Sequence, residues 1–382
     1  SGNDWSVSGT TMQSGKGYIV NVQSAPNTVA FSGSTIRSGN VSIPLTRQGA
    51  GTENKNGFNL IGNPYTAYLD WVAVAAANAS KMPTSTMWYR TKVSGNWDFT
   101  TVNGAGVATP ANASSRIPPM QAFWVRASQV GNSTLDVTDA MVLHDNSTSN
   151  RLKAPAAANT ELQLIRLQVS NATHTDELVI YTDSAAANTL DWYDAPKMDG
   201  DNPDKPEMSS LAGTESLAIN AMHTLPLDTD IPLRFVTHKA NLFALKMNEA
   251  TNLPAGITVV LKDNGTEIDI SSGNEHIFSS DVTTNANRFS LVFRSPGVVT
   301  RVNPEVANQL LVHNIANKQI ALRYTENMLN TGKLTIYNAM GQLVQQLHMG
   351  NEHTVITVPA SGVYLIHLVA DGKQMSKRVI VK

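Results

Sequence analysis

Lys333-Leu334-Thr335-Ile336-Tyr337 and Gln342-Leu343-Val344-Gln345-Gln346 flank Asn338-Ala339-Met340-Gly341. Apolar and polar side chains alternate on each arm. The turn ends in glycine, the residue that reverses a chain at least steric cost. The spacing predicts a β-hairpin with a four-residue turn. Val363 to Val369 and Lys377 to Val381 repeat the pattern around Asp371-Gly372, a short-hairpin signal. A sandwich of about seven short strands is the economical way to bury such faces. Residues 309–382 are therefore expected to form one Ig-like unit.

Working upstream, the same period of two recurs. Tyr18–Val22, Val29-Ala30-Phe31 and Val41-Ser42-Ile43 are short strand candidates between Gly/Ser/Asn turns. Gly57–Tyr65 runs through Asn63-Pro64, which forces extended or turn backbone. Residues 71–80 are the one good helix candidate, rich in alanine, with Asp70 as its N-cap. Met87-Trp88-Tyr89-Arg90 and Asn96-Trp97-Asp98-Phe99 read as a hairpin about Ser94-Gly95, and Met120–Arg126 as a buried strand. Residues 145–160 lack an apolar pattern and read as a connection. Beyond them, Leu162–Val169 is expected to pair with Leu178–Tyr181 across a Thr-His-Thr-Asp turn, followed by strands at 217–220, 231–236, 242–247, 257–261 and 289–293. An acidic, Pro-rich loop covers 194–208, and 296–308 reads as a linker. The expected fold is all-β: tandem β-sandwich domains at 1–150 and 161–297, then the Ig-like unit at 309–382.

Composition narrows the chemistry. The chain has 382 residues, enough for two or three domains, yet only 15% are charged and the net charge is −2. No bias marks nucleic acid or an anionic membrane as the partner. With no cysteine, disulfides, thiol catalysis and Cys-ligated zinc are excluded. No apolar run is long enough for a transmembrane helix. Ser1-Gly2-Asn3-Asp4-Trp5 has neither a charged nor an apolar leader region. The expectation is that any export signal has been removed, or that the chain is part of something longer.

Leu311-Val312-His313-Asn314, Leu334–Gln342, Gly362-Val363-Tyr364-Leu365-Ile366 and the closing Lys377-Arg378-Val379-Ile380-Val381-Lys382 together resemble the C-terminal sorting domain of proteins exported by the type IX secretion system. Asn303-Pro304 stands earlier than that family's usual opening Asn-Pro, which leaves the domain start open by several residues. The resemblance implies recognition of 309–382 by an outer-membrane type IX translocon, and a protein that is extracellular or attached at the cell surface. The plainer alternative is one more Ig-like module. Gly57–Tyr65 with Asp70-Trp71, and Pro119–Val125, resemble a β-domain common in large exported proteins with this tail. Leu190–Lys197, Leu217-Ala218-Ile219-Asn220 and Arg288-Phe289 resemble its usual companion.

Catalytic motifs are missing. His144, His174, His223, His238, His276, His313, His348, His353 and His367 form no His-Glu-x-x-His and no compact ligand cluster. There is no Gly-x-Ser-x-Gly elbow, P-loop or dinucleotide fingerprint. Asp194, Asp199, Asp201, Asp204 and Glu207 offer oxygens to calcium, but the spacing is not that of an EF-hand and Lys197 and Lys205 intervene, so a solvated loop is the default. Five of six tryptophans precede residue 125. Trp88, Tyr89 and Trp97 are the candidate ligand-binding residues, since flat rings stack on sugars; core filling by tryptophan is the competing role. No catalytic residue, metal or cofactor is expected. The expected function is an adhesin-like surface binding protein with a glycan or host/matrix protein ligand. The alternatives are the non-catalytic end of a longer secreted hydrolase, and a structural stalk.

Overall fold

The computed structural model describes residues 11–19, 32–33, 36–49, 56–93, 96–144, 162–271, 273–295, 310–315, 318–323, 332–348, 353–370 and 373–381. The fold is all-β. Its contacts group into two units: 1–160 with 182–198 and 217–223, and 161–181 with 199–216 and 224–382.

The first unit holds β1 (Val41–Arg47), β2 (Phe58–Gly62), β3 (Tyr68–Asp70), α1 (Trp71–Ala77), β4 (Met87–Val93), β5 (Asn96–Val102), β6 (Ala108–Thr109), β7 (Arg116–Ile117), β8 (Ala122–Arg126), β9 (Gly131–Val137) and β10 (Val142–Leu143). They form three sheets, ordered β1-β9, β10-β3-β7 and β2-β8-β4-β5-β6. In β1 the alternation is strict: Val41, Ile43 and Leu45 are buried while Ser42, Pro44 and Thr46 are exposed. The strand expected at Tyr18–Val22 is absent at Tyr18 and Ile19; Val20–Val22 and Val29–Phe31 lie outside the described residues.

Asp70 caps α1 as expected, its carboxylate accepting from the Val72 N–H at 3.0 Å. The helix stops at Ala77 rather than residue 80 because Asn78 spends its side chain elsewhere. Its amide donates to Val74 O and Asp136 O at 2.8 Å, and its Oδ1 accepts from Asp136 N at 2.8 Å. Ala79–Lys81 continue only as one 3-10 turn. Asn63 does similar work in Gly62-Asn63-Pro64: its amide donates to Ala67 O (2.8 Å) and Ile117 O (2.9 Å), while its oxygen accepts from Tyr65 N (2.9 Å). Trp71, Val74, Leu69, Phe123 and Val125 meet in the core of this unit.

The segment Asp191–Pro196 belongs to this unit and is strapped onto it by its carbonyls. Trp192 O accepts from Ser85 Oγ (2.5 Å) and Ser85 N (3.3 Å), Tyr193 O from Asn103 Nδ2 (2.6 Å), Asp194 O from Thr86 Oγ1 (3.2 Å), and Pro196 O from Trp88 Nε1 (3.0 Å). Its short strand β13 (Ala195–Pro196) pairs with Leu217 and Ile219. Asp194 accepts from the N–H of Ala221 and of Asp191, each at 2.8 Å, but burial dominates and lifts its carboxyl to about 7. Gly104 lets Trp192 approach: a Cβ there would stand 2.5 Å from the indole and 2.6 Å from Ser85 Cβ.

Strands of the second unit include β11 (Leu164–Ser170), β12 (Thr175–Thr182) and β14 (Glu207–Ala212); β15 (Glu215–Met222) follows, with its first two residues in this unit. Then come β16 (Ile231–Thr237), β17 (Asn241–Thr251), β18 (Thr258–Asp263), β19 (Thr266–Asp269), β20 (His276–Ser280) and β21 (Thr283–Arg294). Two runs are ordered β12-β11-β17-β20 and β19-β18-β21-β16-β14. The β11–β12 turn is Asn171–His174, two residues earlier than the sequence pattern implied. Asn171 sets it, its Oδ1 accepting from the N–H of Thr173 (3.0 Å) and His174 (2.8 Å). Phe235, Phe243, Phe278 and Phe289 pack with centroids 4.8–6.0 Å apart. Arg288 lies over Phe278 (4.6 Å) and Phe289 (4.7 Å) and grips Asp263 through Nε (2.8 Å) and Nη2 (2.9 Å).

The same unit carries β22 (Leu311–Ile315), β23 (Gln319–Arg323), β24 (Lys333–Asn338), β25 (Leu343–His348), β26 (His353–Thr357), β27 (Gly362–Ala370) and β28 (Lys373–Val381). They form a three-stranded sheet, β22-β23-β26, and a four-stranded one, β25-β24-β27-β28. Ile320, Leu322, Leu334, Ile336, Ile366 and Leu368 fill the space between, as the alternation implied. The hairpin opening the sequence reading is locked by Asn338, whose Oδ1 accepts from Met340 N and Gln342 N at 3.0 Å, and by Gly341 at φ +75°. Tyr364 OH donates to Ala360 O at 2.7 Å. Arg323, on β23, pairs with Glu275, which also meets Lys246 at 3.3 Å.

Two expectations follow. Gly104→Ala drives a methyl into Trp192 and Ser85, and thermal or urea unfolding should register a loss of about 2 kcal/mol. A change below about 0.5 kcal/mol would mean that the strap is not closely seated. Burial pushes the Asp263 carboxyl up, but hydrogen bonds from His276 and Arg288, and the charge of Arg288, outweigh it and hold the group at about 2 against an ordinary 3.8. Depressed in the folded state, this group contributes stability that is complete above about pH 4 and lost as pH falls through 2, worth about 2 kcal/mol. Asp263→Asn should flatten that acid limb in denaturant titrations run from pH 5 to 2.

Candidate functional site

Two large sequence candidates are not where a ligand could reach them. Trp88 and Tyr89 are each 1% exposed. Trp88 is covered by Phe58, at 5.2 Å between centroids, and hydrogen-bonded to Pro196 O. Tyr89 faces the core, where its OH accepts from Ser114 N at 3.1 Å and burial lifts the phenol well above its usual range. Alternation therefore splits the pair: Trp88 belongs to the outer face of its sheet and Tyr89 to the inner. Trp97, on β5 opposite Lys92, is 58% exposed and is the one of the three open to solvent.

The outer face bearing Trp88 and Trp97 has more on it than the sequence reading named. Register places Phe58 and Leu60 on β2, Trp124 and Arg126 on β8, Trp88, Arg90 and Lys92 on β4, and Trp97 and Phe99 on β5 together. Their rings interlock edge to face: Phe58 with Trp88 at 5.2 Å and Phe99 with Trp124 at 5.7 Å. Each cation lies over a ring: Arg126 over Phe58 (5.7 Å), Arg90 over Phe99 (5.3 Å) and Lys92 over Trp97 (5.6 Å). None of these strand positions carries Asp or Glu, whereas Asp98 falls on the opposite face of β5. The signal was in the sequence: Trp88-x-Arg90-x-Lys92, Trp97-x-Phe99 and Trp124-x-Arg126 all space aromatic and basic residues by two. Reading the hairpin for aromatics alone missed the cations.

Three carboxylates of the acidic stretch, Asp199, Asp204 and Glu207, are paired with cations of the second unit. Lys205 is buried against Asp176 (2.9 Å) and Glu207 (3.6 Å), Arg234 takes Asp199 (2.8 Å), and Lys239 pairs with Asp204. Those carboxylates already have cations, which removes the charge that calcium would answer. No group of three or more His, Asp or Glu suited to a metal occurs among the described residues. His276 contacts Asp263 at 2.8 Å and stacks on Phe278, and His367 contacts Ser376 Oγ at 2.8 Å on the outer face of β27. Among the described residues His276 has no hydroxyl partner, and the His367–Ser376 pair has no carboxylate on its imidazole, so neither completes a nucleophile–base–acid relay. No described helix is long and apolar enough to cross a membrane.

A search of curated proteins finds no match. Among solved structures, the chain is similar to the BSP domain of a biofilm associated protein, at 11% identity over 93% of this chain and 68% of that one. The TM-score is 0.19, too low to carry an argument about fold or function. Residues 314–382 match the model described as the Secretion system C-terminal sorting domain, in agreement with the strands β23–β28. This is a type IX sorting domain, and it marks the protein as secreted and attached at the cell surface. Residues 1–293 match one model, described as Domain of unknown function (DUF8693), and the chain belongs to that family.

Proposed function

We propose that this chain is an adhesin-like binding protein displayed at the cell surface, with a binding rather than a catalytic role. One observation carries the reading: a protein addressed to the surface bears, at one end of a sheet face of its first unit, an exposed Lys92 and Trp97 beside the half-buried Arg90 and Phe99, with no acid at those strand positions. Aromatic–cation surfaces of this kind are common where proteins engage ligands, because they combine large apolar contact with charge. Residues 309–382 are the part addressed by the outer-membrane type IX translocon, as a folded sandwich rather than a linear peptide. The charged clusters at Asp263, Arg166 and Lys205 read as internal struts rather than reaction centres, since each pairs cations with carboxylates on neighbouring strands or turns.

Two outcomes are expected. Removing 309–382 should leave the remaining chain in the periplasm when cells are fractionated; recovery at the surface would overturn the sorting role. The full chain applied to arrays of glycans and matrix proteins should bind at least one class. Silence on both would favour a structural stalk, and a catalytic domain encoded upstream of Ser1 would favour the hydrolase alternative.

A further inference from the structure

We propose that Lys205 and Asp176 condense into an intramolecular isopeptide bond, with Glu207 carrying the proton. The inference goes beyond the binding reading and does not depend on it. All three side chains are shut away from water: the exposed fractions of Lys205, Asp176 and Glu207 are 7%, 6% and 4%. Lys205 Nζ lies 2.9 Å from Asp176 Oδ1 and 3.6 Å from Glu207 Oε1. One cation thus shares its burial with two carboxylates, a costly arrangement while all three stay charged. Amide formation removes one opposite pair of those charges and needs only groups already in contact.

The fold brings these groups together from three places. Asp176 is the second residue of β12, Lys205 sits in the turn before β14, and Glu207 opens β14. The turn is tied down without help from the lysine side chain. Lys205 N donates to Asn202 O at 3.2 Å, Asn202 Oδ1 accepts from Asp204 N at 3.0 Å, and Asn171 Nδ2 donates to Asp204 O at 2.7 Å. Pro203 and Pro206 bracket it and restrict its backbone. Met208 N donates to Asp176 Oδ2 at 2.7 Å, and Gly200 N to Glu207 Oε1 at 3.0 Å. Nucleophile, carbonyl and proton acceptor therefore share one fixed geometry, which replaces a chance encounter by an intramolecular step.

The step balances within the chain. One proton moves from the ammonium to Asp176 Oδ1, which leaves a neutral amine facing a neutral acid; a dry site favours that uncharged pair over the ions. The Nζ lone pair attacks Cγ, the atom bonded to the oxygen that Nζ already contacts. Negative charge gathers on Oδ2, where the Met208 N–H serves as an oxyanion donor. The Glu207 carboxylate takes a proton from the attacking nitrogen and returns it to Oδ1. The Cγ–Oδ1 bond breaks, water leaves, and the Nζ–Cγ amide remains. No oxidant, cofactor or external substrate takes part. The cluster stays a strut, one that reacts once and on itself. In a chain without cysteine it supplies the covalent link that disulfides give many exported proteins.

The test is intact-mass spectrometry of the full 382-residue chain under denaturing conditions, followed by peptide mapping. The expected mass is one water below that of the sequence, with the segments around Asp176 and Lys205 recovered as a single branched peptide. Lys205→Met replaces the ammonium by an apolar chain and should restore the full mass. Glu207→Gln should condense about a hundredfold more slowly, the scale of one positioned proton carrier, read as mass against time after synthesis. Circular dichroism and urea curves check that the variants fold; if they do not, the wild-type mass and map decide alone. Wild-type protein at its full mass, or without the branched peptide, would overturn the bond and leave a purely ionic strut. Asp-Gly pairs, here Asp199-Gly200 and Asp371-Gly372, can also lose water. A water loss that persists in folded Lys205→Met would therefore overturn the assignment to Lys205. Condensation at the wild-type rate in folded Glu207→Gln would overturn the proton role given to Glu207.

Discussion

A backbone carbonyl taken out of water must find a donor, and in the first unit that requirement organises the whole strap from Asp191 to Pro196. Ser85, Thr86, Trp88 and Asn103 each send a donor to it. The donors lie on or beside β4, and Trp88 and Thr86 share the face of Arg90 and Lys92, so the strap covers one end of that face. Ser85 joins the two layers: its carbonyl accepts from the buried Trp71 indole at 3.0 Å while its hydroxyl serves Trp192. Trp88 does the same for the sheet, packing under Phe58 while its indole N–H reaches Pro196.

Most elements could be read from period and punctuation. The terminal sandwich was clearest, because Leu334, Ile336, Ile366 and Leu368 alternate without interruption and Asn338 with Gly341 leaves one turn geometry open. Asp70 was legible as a cap because its donor is only two residues away. Interactions between distant residues were not legible. Leu190–Lys197 looked like a family motif of a second domain, yet it works through carbonyls, which no side-chain pattern reports. The β11–β12 turn was misplaced by two residues because Asn171 outcompetes the Thr-His-Thr run for the reversal. Trp88 and Tyr89 illustrate a different limit. A period of two says that neighbours face opposite ways, but not that both faces will be covered.

The few charges of the chain are used economically. Arg166 bridges Glu177 at 2.9 Å and Glu249 at 2.7 Å across three adjacent strands. Asp263 serves both His276 and Arg288. Desolvation offsets part of the attraction in such groups, so removing one partner costs more than the pair contributes in net. Against that pattern of cations matched by carboxylates, Lys92 stands apart: an exposed ammonium over an exposed indole, on a sheet face without an acid.

The order in which the strap appears along the chain has a temporal meaning. Its residues emerge after β11 and β12 have already been made, and Leu217–His223 later still. The first unit cannot complete its contacts while only its amino-terminal 160 residues exist, so a polypeptide cut after β10 would keep Gly104 and Ser85 but leave bare the surface that Trp192 should cover. Long-range closure of this kind slows folding and leaves partly dressed sheets exposed in the meantime. Unpaired sheet surface is open to unwanted association for as long as that interval lasts.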